Sequence, residues 1–340
     1  MICRCCNIKE ADKKNTHYLT DAIIRKCLNE NGTNLREKGF MFGLSNKSPF
    51  VEFGFQRETN TTSIIDALRR EPSVEEINEA KKNPFSVDHF FCSDCEKLFT
   101  NIESEFINDI LPKLRGINFE KINQRTIEFV NCFLIRKFFL LQFWRTSICD
   151  SAFDLKVTFK EKLHNGIFRD DPVLSKIPLR ITHLNTVGTD LEYTKNIVGI
   201  LKGKSNFAIF FNDFIIQAFE KTEDINFIEF YGLNQKDNFI QSFNVNENRF
   251  IIDILFNQER IYFASTLNQN DLAPKIIGYY QNIFVSRFYT TFGYQPKPQL
   301  ISSFIHGILY DKNCSEEKRY SIERIQSYAN DFFLRLINKC

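Results

Sequence analysis

Apolar and polar residues recur with the period of an amphipathic helix in several parts of this chain. Between residues 96 and 114, apolar side chains occupy every fourth position: Leu98, Ile102, Phe106 and Ile110. Positions four apart lie on one face of a helix, so the spacing predicts a helix with one buried face over residues 96–114. Similar patterns predict a helix over residues 20–29, a long one with a Phe-rich centre over 118–150, and several within 271–340.

The period of the apolar residues changes to two near residue 205. Alternation is typical of a strand that buries one face, and Asn212-Asp213 between two such runs predicts the turn of a hairpin. The predicted strands of an antiparallel sheet are residues 179–184, 207–211, 214–219, 227–231, 249–256 and 260–266. Residues 39–62, which are rich in Gly, Phe, Asn and Thr, predict additional short strands and loops. Helices and strands in separate blocks indicate the α+β fold class.

The length and composition of the chain allow two domains with a large hydrophobic core. It has 340 residues, of which 43% are hydrophobic and 37 are Phe, so disorder is not expected. We place the division between residues 1–115, a module with a long insertion, and 116–340, a mixed α+β domain. The formal net charge is only +2, which excludes a strong overall field for nucleic acid and requires any phosphate-binding surface to be local.

The cysteines and the longest apolar run indicate the cellular compartment of the protein and whether it spans a membrane. Ten cysteines, and a start that leaves no room for a signal peptide, favour a reducing cytoplasm and a metal site over disulfides. The run from Phe129 to Trp144 is interrupted by Arg136, Lys137 and Gln142, and it is shorter than the roughly 20 residues of a membrane span. We therefore expect a buried helix there, a soluble cytoplasmic protein and no membrane partner.

Four cysteines form two Cys-x-x-Cys pairs, Cys3/Cys6 and Cys92/Cys95. Two intervening residues let both thiolates of a pair turn towards one ion, and two such pairs are typical of a structural zinc site. We predict that these four residues bind Zn²⁺. The long segment between the pairs must then be an insertion whose two ends lie close together at the ion. Cys5 lies inside the first pair and is an alternative ligand.

The segments around these pairs resemble HNH-type nucleases whose ββα-metal core is built on a four-cysteine treble clef. In that family a Cys-x-x-Cys pair precedes a His on a strand, and a second pair opens a helix whose next residue reaches the catalytic metal. The corresponding segments are Cys3-Arg-Cys-Cys6, Asn15-Thr-His17-Tyr-Leu19 and Cys92-Ser-Asp-Cys95-Glu96. The chain is also similar to uncharacterised bacterial proteins, some suspected of roles in phage defence, through residues 95–103 and, more loosely, 138–147.

The resemblance implies a metal-dependent endonuclease that cleaves DNA as an effector in bacterial anti-phage defence. Exposed strand edges and the long apolar helix lead us to expect a protein partner or self-association through residues 116–340. His17 is then the general base, since an imidazole titrates near neutral pH. Glu96 and Glu103, two turns apart on one helical face, are candidate ligands of a catalytic Mg²⁺ or Mn²⁺, which carboxylate oxygens bind well. The chain departs from the family pattern at Thr16, where an acidic residue is common, and at Glu96, where Asn is usual.

Other interpretations remain open on the sequence alone. The zinc module is also compatible with a non-catalytic protein-interaction subunit of a defence complex, which Thr16 and the near-neutral charge favour, or with a sequence-reading nucleic-acid binder. His17 is otherwise a zinc ligand in place of one Cys, or a structural histidine. Glu96 is otherwise a solvated acid at a helix N-terminus, where the helix dipole favours it. Trp144 and Arg145 are expected to pack in the core.

Overall fold

The computed structural model of the protein mixes helices with a sheet, which confirms the predicted α+β class. The residues that it describes are 1–29, 32–33, 41–45, 52–56, 65, 70–75, 77, 83, 85–115, 123–127, 131–202, 207–227, 229–235, 237, 239–244, 250–267, 269–270, 273–310 and 322–338.

Strands and helices follow one another in blocks along the chain. The strands are β1 (Thr16–His17), β2 (Met41–Ser45), β3 (Glu52–Gln56), β4 (Ser86–Val87), β5 (Gln124–Ile127), β6 (Leu179–Leu184), β7 (Ile197–Lys202), β8 (Phe207–Asn212), β9 (Phe214–Ala218) and β10 (Phe250–Leu255). The helices are α1 (Asp21–Leu28), α2 (Ser93–Glu105), α3 (Leu111–Arg115), α4 (Cys132–Cys149), α5 (Val157–Phe168), α6 (Asn257–Leu267), α7 (Ala273–Phe292), α8 (Pro298–Leu309) and α9 (Ile322–Ile337). A π-helical turn, Phe106–Ile110, joins α2 to α3, so the helices predicted over 20–29 and 96–114 are both confirmed.

The chain folds into two compact units, each made of two separate segments. The first unit contains residues 1–34 and 82–264, and the second contains 35–81 and 265–340. The division that the sequence predicts, after residue 115, falls inside the first unit. The physical reason is a shared core, because buried residues of the cysteine pairs, of α2, of α4 and of the sheet belong to one apolar cluster.

The sheet of the first unit has the described strands in the order β5-β10-β6-β9-β8-β7. Neighbouring strands are antiparallel except that β10 runs parallel to β6, with Asp253 beside Thr182, so the sheet is mixed rather than purely antiparallel. The strands predicted over 179–184 and 249–256 are confirmed as β6 and β10. The predicted hairpin is confirmed as β8 and β9, where Asn212 adopts the left-handed conformation (φ 60°) that Asn tolerates in tight turns.

The helix predicted over residues 118–150 is wrong at its N-terminal end. Gln124–Ile127 forms strand β5, and α4 begins only at Cys132. The side chain of Asn131 accepts a hydrogen bond from the backbone N–H of Leu134 (3.0 Å) and caps the helix there. Strand β5 is held by its pairing with β10, a distant contact that the local pattern does not contain.

The strand predicted over residues 260–266 is also wrong, because Asn257–Leu267 is helix α6. The backbone N–H of Phe256 donates to a carboxylate oxygen of Glu259 (2.9 Å), which is one half of the reciprocal contact that opens many helices. Residues 257–259, which separate the two predicted strands, are therefore the start of a helix. None of the described residues within 227–231 belongs to a strand.

Helix α4 lies in the centre of the first unit and is buried on all sides over most of its length. The ring of Phe138 stacks on Phe106 of the π-helical turn with centroids 3.7 Å apart, and Trp144 packs edge-on against Phe99. The buried helix expected from the apolar run is therefore confirmed over Cys132–Cys149. Among the helices that the structure describes, none has the length and apolar character to cross a membrane.

The second unit combines a hairpin with the C-terminal helices. Strands β2 and β3 pair antiparallel, with Gly43 opposite Gly54. Helices α7, α8 and α9 enclose an aromatic cluster in which Phe284 stacks on Phe304, 4.6 Å between centroids. The strands expected within 39–62 and the helices expected from residue 271 onwards are confirmed where the structure describes them.

Replacing Phe138 by Ala tests the importance of the central helix. The ring is fully buried, and its removal leaves a cavity, so we expect the free energy of unfolding to fall by about 3–5 kcal/mol. Urea unfolding followed by circular dichroism measures the change. The control is Phe227→Ala, which should cost less than about 1 kcal/mol because Phe227 is 43% exposed. Equal losses in the two variants would contradict the central position of α4.

Candidate metal centre and the adjoining carboxylate cluster

The two cysteine pairs meet at one point of the first unit. Cys92 is the N-cap residue of α2, and Cys95 lies in the first turn of that helix. Backbone hydrogen bonds join the two segments, including one from Arg4 N–H to the carbonyl of Phe90 (2.9 Å), and β1 pairs with β4 between them. These contacts bring residues that are far apart in the sequence to one end of α2.

The four sulfur atoms form a cluster of the size that one ion needs. The Sγ atoms of Cys3, Cys6, Cys92 and Cys95 all lie within 4.8 Å of one another, and those of Cys6 and Cys92 are 3.9 Å apart. Four sulfur ligands at the usual Zn–S distance of about 2.3 Å lie about 3.8 Å apart in a tetrahedron. The donor set therefore fits a metal ion such as zinc. Four thiolates fill every position of a tetrahedral ion, as in structural rather than catalytic sites.

Backbone donors and burial set the proton affinity of these thiols. The N–H groups of Lys9 and Ile8 lower the pKa of Cys6 to about 6, because hydrogen bonds to a thiolate favour the charged form. Burial raises the pKa of Cys95, and its neighbour Cys5 adds to the effect. A dication at the centre offsets the repulsion among the charged sulfur atoms and so favours their deprotonated forms.

A fifth thiol, Cys5, lies beside the cluster and is almost fully buried. Its side chain interacts directly with that of Cys95, and its sulfur is 3.9 Å from Nε2 of His164. The same imidazole nitrogen donates a hydrogen bond to the carbonyl of Cys5 (3.0 Å) and so attaches the cysteine turn to α5. Burial raises the pKa of Cys5 to about 12, so this thiol is protonated at neutral pH.

His17 lies on β1 opposite Ser86 of β4 and is half-buried. Its neighbour Thr16 is buried and lies against Glu96. Successive side chains of a strand point to opposite faces, so Thr16 rather than His17 is the β1 residue that meets Glu96. The pairing of β1 with β4 leaves His17 on the less buried face of this two-stranded ribbon.

Glu96 and Glu103 on α2 share one polar cluster with residues of α4. The carboxylate of Glu103 accepts hydrogen bonds from Oγ1 of Thr20 (2.6 Å) and from the guanidinium of Arg145. The side-chain carbonyl of Gln142 accepts from the backbone N–H of Thr20 (3.1 Å) and from Arg145 (3.2 Å). We call Thr20, Glu96, Glu103, Gln142 and Arg145 the carboxylate cluster. The structure therefore brings the two acids that were predicted to bind a metal together with the buried guanidinium of Arg145.

Glu96 is the least compensated member of the carboxylate cluster. Burial raises the pKa of its carboxyl group, Arg145 opposes this effect, and the charge of Glu103 adds to it. The hydroxyl of Thr16 is close enough to favour the charged carboxylate, but it does not meet hydrogen-bond geometry. Among the described residues, Oε1 of Glu96 and Oγ1 of Thr16 are buried without a hydrogen-bond partner. A hydroxyl of β1 and a carboxylate oxygen of α2, each buried without a hydrogen-bond partner among the described residues, thus lie near each other.

The partners of these acids were missed by sequence reasoning. Arg145 packs in the core as predicted, with its guanidinium 5.5 Å from the ring centre of Phe99, but it also pairs with Glu103. One sequence signal indicates such a role: Gln142 and Arg145 are polar residues three positions apart in a largely apolar helix. Polar groups on one face of a buried helix need a buried polar partner.

Comparison of the chain with protein-family models, with curated proteins and with solved structures gives no match.

Metal analysis of the purified protein tests the zinc centre. We expect about one zinc ion per chain. Replacing both Cys92 and Cys95 by Ser should abolish binding and lower the melting temperature by about 10 °C or more, because the binding energy of a structural ion is also folding energy. Cys132→Ser is the control and should keep the ion, since Cys132 is buried outside the cluster. Zinc retained by the double variant at the wild-type ratio would rule out these ligands.

Proposed function

We propose that this chain is a metal-dependent endonuclease of the HNH-like kind, which cleaves DNA. The order of its elements supports the proposal. The first cysteine pair is followed by β1, which pairs antiparallel with β4, and α2 then supplies the second cysteine pair from its N-terminus. A cysteine turn, a two-stranded ribbon and a helix around one ion are the parts of a four-cysteine treble clef. Residues 18–85 would then be an insertion between the two strands of the ribbon.

The observation that carries the proposal is a pair of nearby oxygen atoms, one on β1 and one on α2, that are buried without a hydrogen-bond partner among the described residues. Oε1 of Glu96 belongs to the residue after the last cysteine, and Oγ1 of Thr16 to the residue before His17. These are the two positions at which the resemblance implies ligands of the catalytic metal. Mg²⁺ and Mn²⁺ take oxygen ligands, so the donor types fit. Thr16 would contribute a neutral oxygen where an acidic residue is common.

Residues of β1 and of the segment before it suit the other tasks of phosphodiester cleavage. Glu96 and Thr16 would hold the cation, which when bound neutralises charge on the phosphate and on the leaving oxygen. His17, half-buried on β1, would accept the proton of the attacking water. Lys13 and Lys14 are exposed shortly before it and would attract the DNA backbone.

The wider role that we propose is that of an effector in bacterial anti-phage defence, with a protein partner or a second copy bound through residues 116–340. It rests on the similarity of residues 95–103 to bacterial proteins suspected of such roles.

A plasmid-nicking assay tests the proposed activity. We expect cleavage with Mg²⁺ or Mn²⁺, and a loss of about 100-fold or more in His17→Ala, since a general base contributes about that factor. Glu96→Gln should lose a similar factor through weaker binding of the catalytic cation, with its zinc content unchanged. Glu105→Gln changes an exposed acid of the same helix and should cleave like the wild type.

Two outcomes of the nicking assay would contradict the proposal. Equal cleavage by His17→Ala and the wild type would refute the assigned general base. The complete absence of cleavage by zinc-loaded protein, with either cation and on supercoiled, linear and single-stranded DNA, would refute the activity.

A second candidate function is a non-catalytic zinc-binding subunit that interacts with other proteins. The observation that favours it is the guanidinium of Arg145, which pairs with Glu103 and opposes the raised pKa of Glu96. The guanidinium of Arg145 beside Glu96 and Glu103 supplies the positive charge that a divalent ion would supply in a nuclease. The carboxylate cluster then serves to join the N-terminal segment, through Thr20, to α4.

Removal of the Glu103 charge tests the structural part of this second candidate. The side chain of Arg145 is only 2% exposed. Glu103→Gln leaves it buried without its carboxylate, so we expect the free energy of unfolding to fall by about 3–5 kcal/mol. Combining Glu103→Gln with Arg145→Met should recover part of this loss, because no uncompensated charge remains. A loss below about 1 kcal/mol in the single variant would show that the pair does not hold the segment.

Thermal unfolding with and without Mg²⁺ distinguishes the two functions in the same samples. A nuclease site binds the ion, so Mg²⁺ should raise the melting temperature of the wild type and not that of Glu96→Gln. A purely structural cluster should show no dependence on Mg²⁺ in either protein.

A further inference from the structure

A fifth thiol, which is buried, lies beside the four sulfur atoms that meet within 4.8 Å of one another. Cys5 lies in the same buried place as the four ligands and is 4% exposed. Its side chain lies near those of Cys95, Cys3, Cys6 and Cys92, close enough for their charges to affect one another. Cys5 therefore lies within reach of the point at which the four ligands meet.

Cys6 is the ligand that is most open to solvent. Cys3, Cys92 and Cys95 are 0%, 3% and 4% exposed, respectively, whereas Cys6 is only half-buried. Thiolates are the reactive form of cysteine, so the sulfur of Cys6 is the first that an oxidant or an electrophile meets. Loss of this one sulfur would leave three thiolates and an open position on the ion.

We propose that Cys5 is a reserve zinc ligand that takes the place of Cys6. The two residues are adjacent, with Cα atoms about 3.8 Å apart, so the exchange needs a rotation within the cysteine turn rather than a rearrangement of the fold. The sulfur of Cys5 would give up its long contact with His164 (3.9 Å), while the hydrogen bond from His164 to the carbonyl of Cys5 (3.0 Å) keeps the turn attached to α5. Cys5 would release its proton to solvent as it binds the ion, because a metal ligand must be deprotonated, so the exchanged set would again contain four thiolates.

The exchange protects the occupancy of the site. A centre with one accessible ligand and no substitute would lose its ion after a single modification. With Cys5 in reserve, modification of Cys6 changes the ligand set and leaves the ion in place. Since the ion holds the cysteine turn to α2, the N-terminal segment keeps its fold while the protein is exposed to oxidants or alkylating compounds.

Zinc affinities of cysteine variants test the replacement of Cys6 by Cys5 as a ligand. A chromogenic chelator serves as the competitor, and the absorption spectrum of the Co²⁺-substituted protein shows how many sulfur ligands remain. Cys5→Ala should bind zinc like the wild type, and Cys6→Ala should keep one ion per chain with an affinity lowered by no more than about 100-fold. The double variant, Cys5→Ala with Cys6→Ala, should lose at least about another 100-fold. Cys149→Ala controls for the loss of an unrelated thiol. Equal loss of zinc from Cys6→Ala and the double variant would overturn the proposal.

Alkylation of the zinc-loaded wild type gives a second measurement that does not depend on the folding of a Cys6 variant. After treatment with iodoacetamide, peptide mapping should show modification at Cys6 first, with the ion still retained against the chelator. Cys5→Ala should release its ion at the same degree of modification. Release from the wild type in step with modification of Cys6 would equally overturn the proposal. Neither measurement uses DNA cleavage, so their outcome is independent of the proposed nuclease activity.

Discussion

The structure at the cysteine end of the first unit depends on how four clustered thiols, three of them buried, are kept from repelling one another as thiolates. Their sulfur atoms lie within 4.8 Å of one another, and charges of one sign at such distances repel strongly in a medium of low polarity. A divalent ion bound by the four sulfur atoms would convert that repulsion into a contact that holds the cysteine turn on α2. The ribbon of β1 and β4 lies between the two cysteine pairs, so the positions of Thr16 and His17 depend on the same contact.

A second electrostatic contact holds the other end of the same segment. The hydroxyl of Thr20 donates to Glu103, which also pairs with Arg145 of α4, and α1 begins directly after Thr20. The N-terminal segment is therefore attached at the cysteine turn and again at the start of α1, with His17 between the two attachments. The nuclease and the structural interpretation share this geometry. In the nuclease interpretation a divalent metal ion compensates the charge of Glu96, whereas in the structural interpretation the guanidinium of Arg145 does so.

The sequence predicted the features whose determinants are local. Two cysteine pairs, the Asn turn of the β8–β9 hairpin and the apolar helix α4 each follow from a short pattern, and the structure contains all three. Strand β5 could not be predicted, because its exposed residues, such as Gln124, give no strand pattern and its pairing with β10 is distant. In α6 a contact between Glu259 and the backbone sets the helix start. In the site, the acids were evident as residue types, but their partner Arg145 lies on another helix and only tertiary packing reveals it.

The strand order of the sheet affects how the chain folds as it leaves the ribosome. Strand β10 lies between β5 and β6, although it is the last strand of the sheet to be synthesised. Until it emerges, β5 has no neighbour and one edge of β6 stays unpaired, and such edges are sites at which nascent chains aggregate. The second unit is also completed late, because residues 35–81 are synthesised long before residues 265–340, with which they form that unit. Rapid synthesis of the intervening residues, or a chaperone bound to these edges until β10 emerges, would favour the native pairing over intermolecular association.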